Sequence, residues 1–548
     1  MLCTAASMSS ESDAAGACRP FTAADLDACL RVLETLVDDR AQLASIGVED
    51  RRRLLLAAGR VSRPERAEQR ELARAFRKGD RRARRSADTA LLDAVGIRAA
   101  RREPVFRTPD APALAAPAAS AAPAVPALAP PLAPAPPPAE EPAPPPVEEA
   151  APPGERGGPE LAKPRKCYVC KAEFRKVHFF YDSMCGPCGD FNYRKRSQTA
   201  PLDGRVALVT GARVKIGYQA AIMLLRAGAR VIVTTRFPHD AARRYSSERD
   251  FDVWGSRLEI YGLDLRHTPS VERFTRHLLH TRDRLDFIIN NACQTVRRPP
   301  GFYEHLIEGE TAQVHALPEV ARPLLQAYDG LRARGELPLV AGGDPAAGLR
   351  EPALLSQIPA PGDAPLDDVL FPRGRYDADL QQVDLRTMNS WRLTLAEVPT
   401  VELLEVQLVN SVAPFVLNSR LKPLMLRQPT FDRHIVNVSA MEGQFYRRYK
   451  TDRHPHTNMA KAALNMMTRT SAPDYAKDGI FMNSVDTGWV TDEDPAALAA
   501  RKLEEHGFHP PLDIVDGAAR ICDPIFSGLL SGQHVYGQFL KDYMPTDW

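Results

Sequence analysis

A chain of 548 residues exceeds one ordinary hydrophobic core, so two or three folded units are expected. Its 71 Lys/Arg nearly cancel its 69 Asp/Glu, which argues against wholesale coating of nucleic acid. No run approaches the roughly 20 apolar residues of a membrane span, and Glu11 with Asp13 argue against a secretory signal or transit peptide.

In chain order, residues 1–19 are small and polar and read as disordered. Residues 20–102 read as a basic helical region. Leu26, Leu30, Leu33 and Val37 recur at three- and four-residue steps on one helix face, and Leu54, Leu72 and Phe76 extend the pattern. The scarcity of aromatics predicts a small core. Residues 51–102 hold 17 Lys/Arg against 6 Asp/Glu, so this region is a candidate surface for a protein or nucleic-acid partner. From 103 to 164 the chain is Ala/Pro-rich, with 20 of its 48 prolines between Pro104 and Pro164. Proline fixes φ and removes backbone donors, so a semi-rigid polyproline linker is expected.

Residues 165–197 hold Cys167-Tyr-Val-Cys170 and Cys185-Gly-Pro-Cys188. Two CxxC pairs supply the four thiolates that a tetrahedral structural zinc requires, whereas a redox dithiol would leave the second pair unexplained. The glycines beside the second pair are expected to permit its tight turn. Nine cysteines arranged in this way suit a reducing compartment, so a cytoplasmic location is expected, with a nuclear one left open.

After Pro201 the texture changes to alternating strands and helices. Arg205–Thr210, Arg230–Thr235, Leu285–Ile289 and His434–Val438 read as buried strands of a doubly wound α/β fold with a parallel sheet. A Pro/Gly-rich stretch at about 299–389 reads as an insertion, partly ordered at best, and Tyr536–Phe539 reads as a late strand. The first strand runs into Thr210-Gly211-Ala-Arg213-Val-Lys215-Ile216-Gly217, a loop suited to a pyrophosphate at a helix N-terminus.

Seven ordered motifs make residues 201–548 resemble the short-chain dehydrogenase/reductase family, and the resemblance implies a Rossmann fold. They are the Thr210–Gly217 loop; Asp264 and Leu265 as the adenine contact; Asn291 and Ala292 in an NNA-Cys293 sequence; Asn410; Ser439; Lys461; and Asn483-Ser-Val-Asp-Thr-Gly488-Trp-Val490-Thr491. The resemblance implies that Asn410, Ser439 and Lys461 are catalytic and that Lys461 also holds cofactor. It further implies a small-molecule substrate and a homo-oligomer, while the lack of a long apolar run implies no membrane partner.

Thr235-Arg236 ends the second strand without a carboxylate, and Arg213 and Lys215 add positive charge. NADP(H) is therefore favoured over NAD(H).

The family's acid, a tyrosine four residues before the lysine, is here Thr457. An aliphatic hydroxyl is too weak an acid to replace it directly. His454, seven before Lys461, is a candidate donor; His456 is expected to point elsewhere. Tyr446 and Lys450 form a literal YxxxK too close to Ser439 to be the catalytic pair, although Tyr446 or Tyr449 could fold over the site. Arg447, Arg448, Lys450 and Arg453, with Arg297 and Arg298, are candidates to ring the pocket for an anionic substrate. Three functions stay open, in this order: an oxidoreductase with an unorthodox proton donor; a non-catalytic nucleotide-binding regulator or scaffold; and a nucleic-acid-associated protein acting through the basic helices and the cysteine module.

Overall fold

A computed structural model describes residues 22–111, 160–333, 346–359, 368–446 and 450–548. The expected disordered start, most of the Pro-rich linker, and Arg447, Arg448 and Tyr449 lie outside the described residues. The chain divides into two compact units, one ending at Ser86 and the other spanning Ala87–Trp548, so the basic helical region expected over 20–102 is shared between them.

The first unit holds α1 (Ala23–Asp38), α2 (Val48–Ser62) and most of α3 (Arg66–Asp93). Thr22 opens α1 with a capping box: its backbone N–H bonds Asp25 Oδ2 at 2.9 Å and its Oγ1 accepts from Asp25 N. The helical period is therefore realised, but the small core is not. Leu26, Leu30, Leu33 and Val37 are all exposed, because the unit has too little apolar bulk to cover them.

In the second unit, α4 (Gly96–Arg102) precedes an antiparallel hairpin, β1 (Glu160–Lys166) and β2 (Glu173–Lys176), and α5 (Gly186–Arg196). The sheet domain begins with β3 (Val206–Thr210), α6 (Lys215–Arg226), β4 (Arg230–Thr235), α7 (Pro238–Ser246), α8 (Phe251–Trp254) and β5 (Leu258–Gly262). It continues through α9 (Thr268–Thr281), β6 (Phe287–Asn290), α10 (Pro300–Thr311), α11 (Gln326–Ala333), α12 (Ala347–Arg350) and α13 (Pro352–Leu355). It ends with α14 (Thr400–Gln407), α15 (Ala413–Met425), β7 (Arg433–Ser439), α16 (Pro455–Lys477), β8 (Ile480–Asp486), α17 (Ala496–His506), α18 (Ile514–Ser531), β9 (Phe539–Lys541) and β10 (Met544–Thr546).

The sheet order is β10-β9-β8-β7-β6-β3-β4-β5, parallel except for β10. Its strands are continuous runs of Val, Ile and Leu because helices cover both faces. The order reverses between β3 and β6, and a doubly wound sheet opens its ligand crevice beyond such a point. The expected strand at Tyr536–Phe539 instead starts at Phe539 and turns into β10 through Asp542 and Tyr543, whose positive φ values of 47° and 70° suit a two-residue hairpin.

Where it is described, the insertion packs onto the sheet domain. Leu324, Leu325 and Tyr328 enter the main core, where Tyr328 Oη donates to Leu349 O at 2.6 Å, and this layer covers the edge strand β5. The continuous helix Thr400–Met425 is long and apolar enough to cross a membrane by length and composition, although Glu402, Glu405, Arg420 and Lys422 interrupt its apolar run. Here Val406, Leu417, Leu421 and Leu424 bury its inner face in the core.

Candidate active site

At the crevice lies a cavity of about 610 Å³. The β3–α6 loop brings Gly211, Arg213, Lys215, Ile216 and Gly217 to it; the end of β4 brings Thr235 and Arg236. Asp264 and Leu265 follow β5, Asn291 and Ala292 follow β6, and Val490 and Thr491 follow β8. Gly211 has φ +65°, and a Cβ there would lie 2.7 Å from Ala292 Cα, so both the turn and the close approach require glycine. The α6 N-terminus has no side-chain cap, which leaves its first-turn N–H groups for a ligand. Thr210 and Gly488 stand just behind this lining. Thr210 Oγ1 accepts from Ala292 N at 3.0 Å, and Gly488 has φ +74°.

The electrostatics of the cavity are asymmetric. Burial pushes the Asp264 carboxyl up, but the Arg266 fork outweighs burial and holds it below its ordinary value. Arg213 bonds Asp240 at 2.7 Å. By contrast, Lys215 (φ +57°) and Arg236 make no close ion pair among the described residues, although, against burial, Lys215 draws down the carboxyls of Glu493 and Asp379 and Arg236 that of Asp264. Arg236 instead bonds Tyr303 Oη at 2.6 Å and lies over that ring. Tyr303 comes from α10, so the insertion builds one wall of the cavity.

The expected catalytic residues gather apart from this lining, around the end of β7. Asn410 sits in a π-helical turn, Leu408–Val412, between α14 and α15. Its amide accepts from Gln294 N at 2.7 Å and donates to Gln294 O at 3.2 Å, pinning the loop after β6. Thr457, Lys461 and Asn465 recur every fourth residue and share one face of α16. Lys461 Nζ donates to Val438 O at 2.8 Å, and Ser439 Oγ donates to Asn465 Oδ1 at 2.7 Å. The buried Thr457 hydroxyl and Asn465 Nδ2 have no hydrogen-bond partner among the described residues.

His454 precedes α16 at φ 42° and stacks on Trp391 with ring centroids 3.8 Å apart. Burial lowers its pKa, so near neutrality it is not the ready acid expected from sequence. His456, as expected, points elsewhere, toward Glu402 at 3.4 Å.

Sequence reasoning missed Asn465 and Asp486. Asn465 was legible only as the next step on the Lys461 face. Asp486 is the register partner of Ser439; burial first, then Glu442, raises its carboxyl to about 6. The expected basic ring is engaged within the protein where it is described, through carboxylates at Arg297 and Arg298 and through backbone carbonyls at Arg453 and Lys450. Arg297 bonds Glu405, Arg298 bonds Asp384, Arg453 bonds Arg392 O, and Lys450 bonds Glu442 O. Tyr446 is exposed beside Thr546 and does not cover the site.

The four cysteines form a second cluster. Cys167 and Cys170 flank the turn between β1 and β2, while Cys185 caps α5 and Cys188 lies in its first turn. All four Sγ atoms lie within 4.8 Å of one another, and Cys170 and Cys185 are 3.7 Å apart. A tetrahedron with Zn–S bonds of about 2.3 Å has S···S edges of about 3.8 Å. Burial and the neighbouring sulfurs push Cys188 up, as expected of thiolates crowded without a cation. The glycines beside the second pair adopt no left-handed φ: Gly186 opens α5, and Gly189 admits the His178 ring, 2.6 Å from where its Cβ would stand; the positive φ lies beside the first pair, at Lys171 (64°).

Residues 205–313 match the family model for short chain dehydrogenase, and residues 389–508 match the one described as Enoyl-(Acyl carrier protein) reductase. The stretch between them is the one that holds the extra helices α11–α13. Uncharacterized protein R665 of Acanthamoeba polyphaga mimivirus is 31% identical over 373 residues, 66% of this chain and 71% of that protein. Retinol dehydrogenase 12 of Bos taurus is 35% identical over 111 residues, 19% of this chain and 34% of its own length. Among solved structures, the Pseudomonas aeruginosa RhlG/NADP active-site complex is 18% identical with a TM-score of 0.38, covering 62% of this chain and 95% of that one.

Proposed function

Because the chain belongs to the short-chain dehydrogenase/reductase family, we propose that it is an NADP(H)-dependent oxidoreductase of a small carbonyl or alcohol substrate. The observation that carries the cofactor choice is the pair Lys215 and Arg236: two cations that line the cavity without a close ion pair among the described residues, where the second strand ends without an acidic residue. A ribose 2′-phosphate suits such cations, whereas a 2′-hydroxyl would call for a carboxylate. The bound nicotinamide would supply or accept the hydride.

The remaining chemistry falls to the chain. If the Asn465 amide turns over, Nδ2 donates to Ser439 Oγ, and the Ser439 hydroxyl proton is free to polarise a carbonyl. Thr457, one helical turn from Lys461, relays a proton: its hydroxyl gives one to the substrate oxygen and takes one from the Lys461 ammonium. Asn410 fixes the loop that borders the cofactor. The cysteine cluster holds one structural Zn²⁺. In this reading the protein is cytoplasmic and self-associates, and the basic surface of α3 serves a protein or nucleic-acid partner.

Titrating NADPH and NADH into the purified protein, then screening carbonyl substrates by absorbance, tests the proposal. Tighter binding of NADPH with turnover is expected. A second reading, a nucleotide-binding regulator, is favoured by Ser439 and Lys461 being satisfied within the protein. NADPH binding without turnover across a broad panel would establish it, and absence of binding would remove both.

A further inference from the structure

The cysteine module and the cavity share a wall. Cys167, Tyr181 and Met184 are buried in one apolar cluster with Val490, Leu512, Ile514 and Val515, and Ile216 packs against it. Of these, Ile216, Val490 and Ile514 also line the cavity, so the apolar cluster that holds Cys167 reaches the cavity wall. Tyr168, between the first two cysteines, accepts the N–H of Trp489 at 3.1 Å, and a Cβ on Gly488 would stand 3.0 Å from the same hydroxyl. Polar contacts clamp the module from the other side. Arg196 grips Asp513 through two bonds of 2.6 Å, Tyr181 donates to Asp516 at 2.5 Å, and Lys195 reaches Asp523 at 2.6 Å.

We infer that the cysteine module is a metal-dependent brace for the nucleotide cavity, with Tyr168 the positioning residue that holds the Gly488–Thr491 loop against it. Four thiolates drawn to one ion fix the turn that carries Tyr168. Without the ion nothing ties the four sulfurs, which lie within 4.8 Å of one another, and the turn is free to open. The loop then loses its acceptor and one side of its apolar support.

This inference rests on the nucleotide reading of the cavity, so its test carries a readout independent of nucleotide. In the full-length protein, metal content, NADPH affinity and amide exchange across residues 487–491 are measured for the zinc-loaded form, a chelator-stripped and re-zincated form, and Tyr168→Phe. Stripping should weaken NADPH about tenfold or more and speed loop exchange, and zinc should restore both. Tyr168→Phe should keep one zinc per chain, weaken NADPH about fivefold and speed exchange at Trp489 by a similar factor. Zinc-loaded protein that binds neither nucleotide overturns the proposed function but leaves the exchange measurement to decide the brace. Loop exchange unchanged by Tyr168→Phe overturns the brace.

Discussion

At the scale of single residues, the cavity makes cation-specific predictions. Lys215→Ala and Arg236→Ala each remove a charge available to a 2′-phosphate. Since a hydrogen bond to a charged group contributes about 1.5–3 kcal/mol, NADPH affinity should fall about tenfold or more, while NADH affinity should change less than about twofold. Isothermal titration distinguishes the two ligands. For the relay, Thr457→Val should cut kcat about a hundredfold or more with NADPH affinity unchanged, and Thr457→Ser should retain most activity. Steady-state kinetics beside a binding titration separates these effects, and a fall in affinity would make Thr457 merely structural.

At the scale of elements, α10 ends by capping α7. Glu310 accepts from the N–H groups of His239 and Asp240 at 3.0 and 2.7 Å. Burial nonetheless dominates and raises its carboxyl from 4.5 to about 7. Between those values the folded chain binds more protons than the unfolded one, so this contribution is greatest below about pH 4.5 and is lost as pH rises through 7. Wild-type Tm should therefore fall between pH 5 and 8 by more than that of Glu310→Gln, as melting curves across the range would read out. The elements also show what was legible. The strand at Arg230–Thr235 and the face Thr457–Lys461 announce themselves through local period and spacing. The burial of Tyr328, the stacking of His454 on Trp391 and the pairing of Arg196 with Asp513 do not, because each joins segments whose nearness exists only after folding. Likewise the apolar stripe of α1 predicted its helix correctly but could not tell whether anything covers it.

At the scale of the whole molecule, the sheet domain, its insertion and the cysteine module form one unit, whereas residues up to Ser86 form another. A variant lacking residues 22–86 should bind NADPH within about twofold of the full chain, because the cavity lining lies wholly within the second unit. Fluorescence titration of the truncated protein checks this, and a large loss of affinity would implicate the first unit in the cavity.

The contact between Arg196 and Asp513 spans 317 positions of sequence. At a synthesis rate of about 5–20 residues per second, the cysteines leave the ribosome roughly 15–60 s before their partners on α18. On the proposed zinc reading, the thiols would be able to capture an ion while the sheet domain is still being made, and the module would stand ready before the last helix is synthesised. A nascent chain halted before Leu512 would then present Tyr181 and Met184 to water, a patch that chaperones recognise. The order of translation, as much as the final fold, makes this early segment the keeper of the late one.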